Sequence, residues 1–183
     1  MKLKKLSPVF ILTLAVFAAC NKPVKGTNGV TYKTPVQYND YIVSRQTDLM
    51  RKVISFSNAA EQDIDSAANM LKGYAAETTT MIGEIKGMPP YKGDTSLRNA
   101  AVQSFTFYKR VFEEDYMDII DIRRKEDLTQ DDVDEMDRIV KKITKEEEGY
   151  DKAFHNAQNN FAKKNNMRLR ENEVQKELDK EFD

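Results

Sequence analysis

The chain has one cysteine, one histidine and no tryptophan among its 183 residues, and it is sparing with glycine and proline, seven and five. Each shortage removes a class of chemistry. A lone cysteine, Cys20, permits no intrachain disulfide and no Cys-x-x-Cys redox pair. A lone histidine, His155, cannot supply the two Glu-x-x-His motifs of a di-iron bundle, and the residue three before it is Lys152. Covalent haem attachment would need Cys-x-x-Cys-His, which is missing. No glycine-rich loop can cradle a phosphate, and no Gly-x-Ser-x-Gly elbow can present a nucleophile. Positive charge is not in excess either. With 29 basic and 30 acidic side chains the net charge is −1, without the concentrated basic face that binding to nucleic acid requires.

What is present begins with an address. Lys2, Lys4 and Lys5 precede a run from Leu6 to Ala19 in which only Ser7 and Thr13 are polar. At about 14 residues this run is too short for a bilayer core that needs roughly 20, and it ends in small residues as a secretory leader does. The segment Phe17-Ala18-Ala19-Cys20 resembles the lipobox of bacterial lipoproteins, departing from it at Phe17, where the family prefers leucine. The resemblance implies removal of residues 1–19 as a signal peptide, acylation of Cys20 and a membrane anchor made of several fatty chains. The mature chain would then carry 26 basic and 30 acidic side chains. Ordinary secretion with cleavage after Ala18, and an uncleaved anchor, are the alternatives. The cysteine count favours acylation, because an oxidising compartment otherwise selects paired cysteines. In the Bacteroidota lipoproteins that this segment resembles, an acidic run just after the cysteine looks like a surface-export signal. Asn21-Lys22-Pro23-Val24-Lys25 has none, so the expected place is the outer membrane, facing the periplasm.

Residues 20–33 read as the lipidated end and a flexible tether, with two glycines, a proline and small polar groups. Thr34-Pro35-Val36-Gln37 starts a helix, placing a capping hydroxyl, a proline at the first helical position and a glutamine that reaches back. Ile42, Gln46, Leu49, Val53, Phe56 and Ala60 then recur at spacings of four and three. Ile64, Ala68, Leu71, Ala75, Thr78, Ile82 and Ile85 repeat the rhythm. A break is expected within 57–62, where Asn58 and Glu61 can form a capping box. Pro89 and Pro90 end the second helix. A third stripe runs through Leu97, Ala101, Phe105, Tyr108, Phe112, Ile119 and Ile122, and a fourth helix, capped by Thr129 and Asp132, through Val133, Met136, Val140, Ile143, Glu147, Tyr150, Phe154, Ala157 and Phe161. The expected fold is all-α, an up-and-down four-helix bundle over 34–166 followed by a charged helical tail, 167–183. Three long helices, with 36–86 unbroken, is the alternative.

Several side-chain groups are candidates for function. Glu114, Asp118 and Asp121 share a helix face and have the spacing of an acid/base pair or a cation site, although such runs are usually solvated surface. The stretch from Asp127 has oxygen donors at alternate positions like a calcium loop, but Asp132 stands where the turn needs glycine and Arg138 where glutamate belongs. Phe105, Phe107, Tyr108, Phe112 and Tyr116 are read as core, with an apolar ligand pocket beside Thr78 to Thr80 as the other option. The turn Met88, Pro89, Pro90, Tyr91 and Lys92 is the expected exposed contact point for a partner.

The opening TPVQYNDYIVSRQ resembles the start of helical lipoproteins of Bacteroidota and spirochaetes, a resemblance that implies an envelope location but does not indicate an activity. Together these readings lead to a lipid-anchored, non-enzymatic bundle without cofactor or metal that binds a protein or envelope component. A carrier of a small apolar ligand or non-covalent haem, which would depend on His155, is the alternative.

Overall fold

A computed structural model describes residues 23–169, so the segment expected to be a leader, Cys20 and the chain beyond Leu169 lie outside the described residues. The domain is an all-α, up-and-down four-helix bundle with a small two-stranded sheet. Helix α1 spans Pro35–Gln62 and α2 Ile64–Lys86. A third rod consists of α3, Ser96–Arg110, a π-helical turn, Val111–Asp115, and α4, Tyr116–Arg123. The fourth rod is α5, Gln130–Lys164.

The helix starts follow from local hydrogen bonding. Thr34 Oγ1 accepts from the Gln37 amide at 3.1 Å, and Gln37 reaches back to the Lys33 amide at 2.8 Å. Thr129 and Asp132 form a reciprocal capping box at the head of α5. The expected break between the first two helices exists, but not on Asn58 and Glu61. It falls on Asp63, an extended residue whose Oδ1 accepts from the amides of Asp65 and Ser66 at 3.0 and 3.1 Å. A carboxylate at the positive end of a helix starts α2 without any glycine. The chain reverses there, and Lys52 bonds to Glu77 and Arg45 to Glu84 across the two antiparallel helices. One unbroken rod over 36–86 is thereby excluded.

Two seams differ from the simple heptad reading. In the third rod the π turn adds a residue, so Val111, Phe112, Asp115 and Ile120 are buried while Ile119 and Ile122 are only half-buried. In α5 the apolar periodicity overstates the core. Val133, Val140 and Tyr150 are exposed, and Ile139 is buried instead. The rotation has a simple cause: α5 packs mainly on α3, so a narrow stripe suffices for its first half.

Residues 24–33 are a correction. The segment expected to be a tether is folded: Val24–Lys25 pairs antiparallel with Thr31–Tyr32, as β1 and β2. Tyr32 is buried, and its ring meets Tyr38 at 5.2 Å and Tyr41 at 5.5 Å. Burial of one aromatic outweighs the local signals for flexibility. A second correction concerns the C-terminal side. The Met167 amide donates to Ala162 O at 3.0 Å and Asn166 adopts φ +52°, so a Schellman-type stop ends α5 at Lys164. Met167 folds back on the core, so residues 167–169 do not continue the helix as a tail.

Candidate functional site

The up-and-down order brings β1, β2, the start of α1, the end of α2, the 88–94 turn and the end of α5 to one end of the bundle. Two glycines permit the contact between hairpin and bundle. Thr27 and Asn28 amides both donate to Gly87 O, at 2.8 and 3.4 Å. A Cβ on Gly87 would stand 2.9 Å from Asn28 N, and one on Gly26 would stand 2.6 Å from Gly87 O, closer than real contacts allow. Asn28 completes the joint, donating to Tyr32 Oη at 2.7 Å and to Glu84 O at 3.1 Å.

The 88–92 turn is not the exposed contact point expected from sequence. Met88 and Tyr91 are 1% and 2% exposed, Pro89 is half-buried, and only Pro90 and Lys92 face solvent. The turn folds inward because two residues with positive φ, Lys92 and Gly93, close a tight reversal in which Tyr91 and Asp94 exchange backbone hydrogen bonds of 2.9 and 3.0 Å. That reversal directs Tyr91 onto Phe161 and Tyr38. Tyr38 donates to Pro89 O at 2.9 Å, and its burial pushes the hydroxyl up to about 12. Asp94 accepts from Lys164 at 2.6 Å and from the Ser96 amide at 2.8 Å, which holds its carboxyl down to about 2. Turn, hairpin and α5 are thus one aromatic and ionic joint, mounted directly after residue 23.

Two polar clusters lie in the body of the bundle. Asp115, presented inward by the π turn, accepts from Arg110 at 2.7 Å and Lys142 at 2.9 Å, and Arg110 also bonds Glu146. Nearer the hairpin end, the Tyr108 hydroxyl donates to Glu147 and lies 3.9 Å from Met50 Sδ. Burial raises the carboxyls of Glu147 and Asp151 and, more strongly, the hydroxyl of Tyr108. Glu147, a polar break in the apolar seam of α5, is therefore explained by its tyrosine partner on α3.

A raised carboxyl binds its proton more tightly in the folded state, so its stabilising contribution is present below the unfolded value, 4.5 for Glu147, and is lost as pH rises through the folded one. Glu147→Gln, which can still accept from Tyr108, is expected to flatten that loss and to match or exceed the wild type at neutral pH. Urea midpoints measured from pH 4 to 8 check this, and a variant markedly weaker than wild type at neutral pH would contradict it.

The remaining sequence candidates separate in space. Glu114, Asp118 and Asp121 are all exposed, and Asp121 pairs with Arg124 at 3.4 Å. The stretch after Thr129 is helical and so cannot wrap an ion as a calcium loop does. Among the described residues no group of three or more carboxylates, histidines or cysteines is placed to hold a metal. His155 is exposed on α5. The aromatic run packs as core: Phe56 stacks on Tyr116 at 4.5 Å and Phe107 on Tyr150 at 4.9 Å, while Thr79 and Thr80 face outward. A surface groove of about 320 Å³ between α1 and α2 is lined by Asp48, Arg51, Tyr74 and Met81 and bridged by the Lys52–Glu77 pair. None of the described helices is long and apolar enough to cross a membrane.

No family model matches the chain, and no curated protein or solved structure matches it. Its function has to be argued from its own residues.

Proposed function

We propose that this protein is a lipid-anchored component of a bacterial cell envelope, acylated on Cys20, whose helical bundle binds a protein or envelope component without catalysing a reaction. The observation that carries the reading is the leader itself: a basic start, a short apolar run and two alanines before the chain's sole cysteine. The fold supports it in two ways. The packed domain begins at β1, four residues after Cys20, so an acyl group there would hold a rigid body close to a bilayer. Asp115, the one buried charged side chain among the described residues, is engaged with Arg110 and Lys142 rather than turned toward an open cavity. Binding falls to the outer surface, where Leu128, Val133 and Val140 stand exposed beside and along the first half of α5.

Growing bacteria that produce the full chain and are fed a tagged fatty acid should label it, and Cys20→Ala should remove the label and shift the protein out of the membrane fraction. An unlabelled wild type, or a Cys20→Ala chain labelled as strongly, would refute the anchor.

A further inference from the structure

Among the described residues, the two ends of the bundle carry opposite charge. At the hairpin end, residues 23–41, 82–100 and 157–169 hold eight Lys or Arg against three Asp or Glu. Two of those three acids are already paired, Glu84 with Arg45 and Asp94 with Lys164, while Lys25, Lys33, Lys86 and Lys92 are exposed. At the opposite end, residues 59–66 and 118–135 hold eleven Asp or Glu against three Lys or Arg. The near-neutral total hides this segregation, because four antiparallel rods bring segments far apart in sequence to the same tip.

We infer that the hairpin end is a membrane-facing surface that docks on anionic phospholipid headgroups, so that the bundle stands end-on with its acidic tip directed into the aqueous space. The inference rests on acylation of Cys20. Only residues 21–23 separate that cysteine from β1, and the span from Cys20 to Val24 cannot exceed about 14 Å. The basic tip is therefore delivered to within reach of the headgroups, where attraction decays over a Debye length of roughly 8 Å. The acidic tip, at the far end of an α1 of 28 residues, lies about 40 Å away when the bundle stands end-on and meets repulsion only in orientations that bring it down to the same surface. Attraction at one end and repulsion at the other both favour one orientation. Under this arrangement the exposed apolar residues near the acidic tip, Leu128 and Val133, are presented to a partner away from the bilayer.

The test uses the acylated full chain reconstituted on vesicles. Acylation blocks Cys20, so an introduced cysteine is the only free thiol. Val36→Cys at the basic tip and Val133→Cys at the acidic tip are a matched pair, 45% and 41% exposed and neutral in charge. Each carries a donor fluorophore, with the acceptor on lipid headgroups. Moving from pure phosphatidylcholine to vesicles with roughly one-third phosphatidylglycerol should raise transfer from Val36→Cys and lower it from Val133→Cys by about twofold or more. Roughly 1 M salt, or the combined Lys25→Gln, Lys33→Gln and Lys92→Gln substitutions, should erase the response while the protein still floats with the vesicles. Probes that ignore phosphatidylglycerol, or a triple variant that responds like wild type, would overturn the orientation alone. A wild-type chain that fails to float with either vesicle would instead remove the anchor, and the orientation with it.

Discussion

Arg110→Met should cost about 3 kcal/mol or more of folding stability, whereas Asp115→Asn should cost distinctly less. The difference follows from which member of the cluster is dry. Asp115 is 3% exposed, held between Arg110 on α3 and Lys142 on α5, while the Arg110 and Lys142 side chains keep 28% and 51% of their exposure. Removing the guanidinium leaves a carboxylate in the core with one partly solvated lysine as partner, and an uncompensated buried charge is among the most destabilising changes known for a single site. Removing the carboxylate's charge leaves two cations that can turn toward water, and Arg110 retains Glu146. The double variant, Arg110→Met with Asp115→Asn, should recover much of the loss. Urea unfolding of the three variants forms a double-mutant cycle, and strict additivity would show that the cluster is not energetically coupled. The π turn enters the same argument. It is the element that places Asp115 inward, so the cluster and the irregular helix account for each other.

Phe161→Ala should be comparably damaging, about 3 to 5 kcal/mol and a melting temperature lower by roughly 10 °C. Its ring is 1% exposed, stacked on Tyr38 at 5.4 Å and edge-on to Tyr91 at the same distance, and so it holds α5, α1 and the 88–94 turn together. The cavity cannot collapse easily, because Tyr38 is tied to Pro89 O and Tyr91 is fixed by its exchange with Asp94. The loss should also be local. Hydrogen exchange ought to quicken first in the 88–94 turn and in the hairpin carrying Tyr32, with the middle of α1 and α2 around the buried Leu49 and Leu71 protected longest. Uniform exchange across the bundle would contradict that order. Val133→Ala, at an exposed site, should change stability by less than about 0.5 kcal/mol and serves as a control.

The helices and their caps were legible because their signals are short-range. Thr34, Pro35 and Gln37 act within one turn, as do Thr129 and Asp132, and a period of three and four needs no knowledge of neighbours. The break between the first two helices was legible to within a few residues, but its cap was not. Asp63 and Asn58 are both plausible caps, and the choice depends on where Ile64 and Ala60 find cover. The hairpin was misread as a tether and Met88 and Tyr91 as exposed for one reason. Their partners, Gly87, Tyr38 and Phe161, lie far along the chain, and composition carries no record of such distances.

The chain's order of amino acids alone determined the all-helical class and most of the helix ends, since each is a property of a single contiguous stretch. Only tertiary structure decided which residues of a stripe are dry, that the 88–92 turn faces inward, that a π turn delivers Asp115 to two cations, and that charge divides between opposite tips. Those features are set by burial and by electrostatic proximity. Both quantities depend on which rods stand side by side.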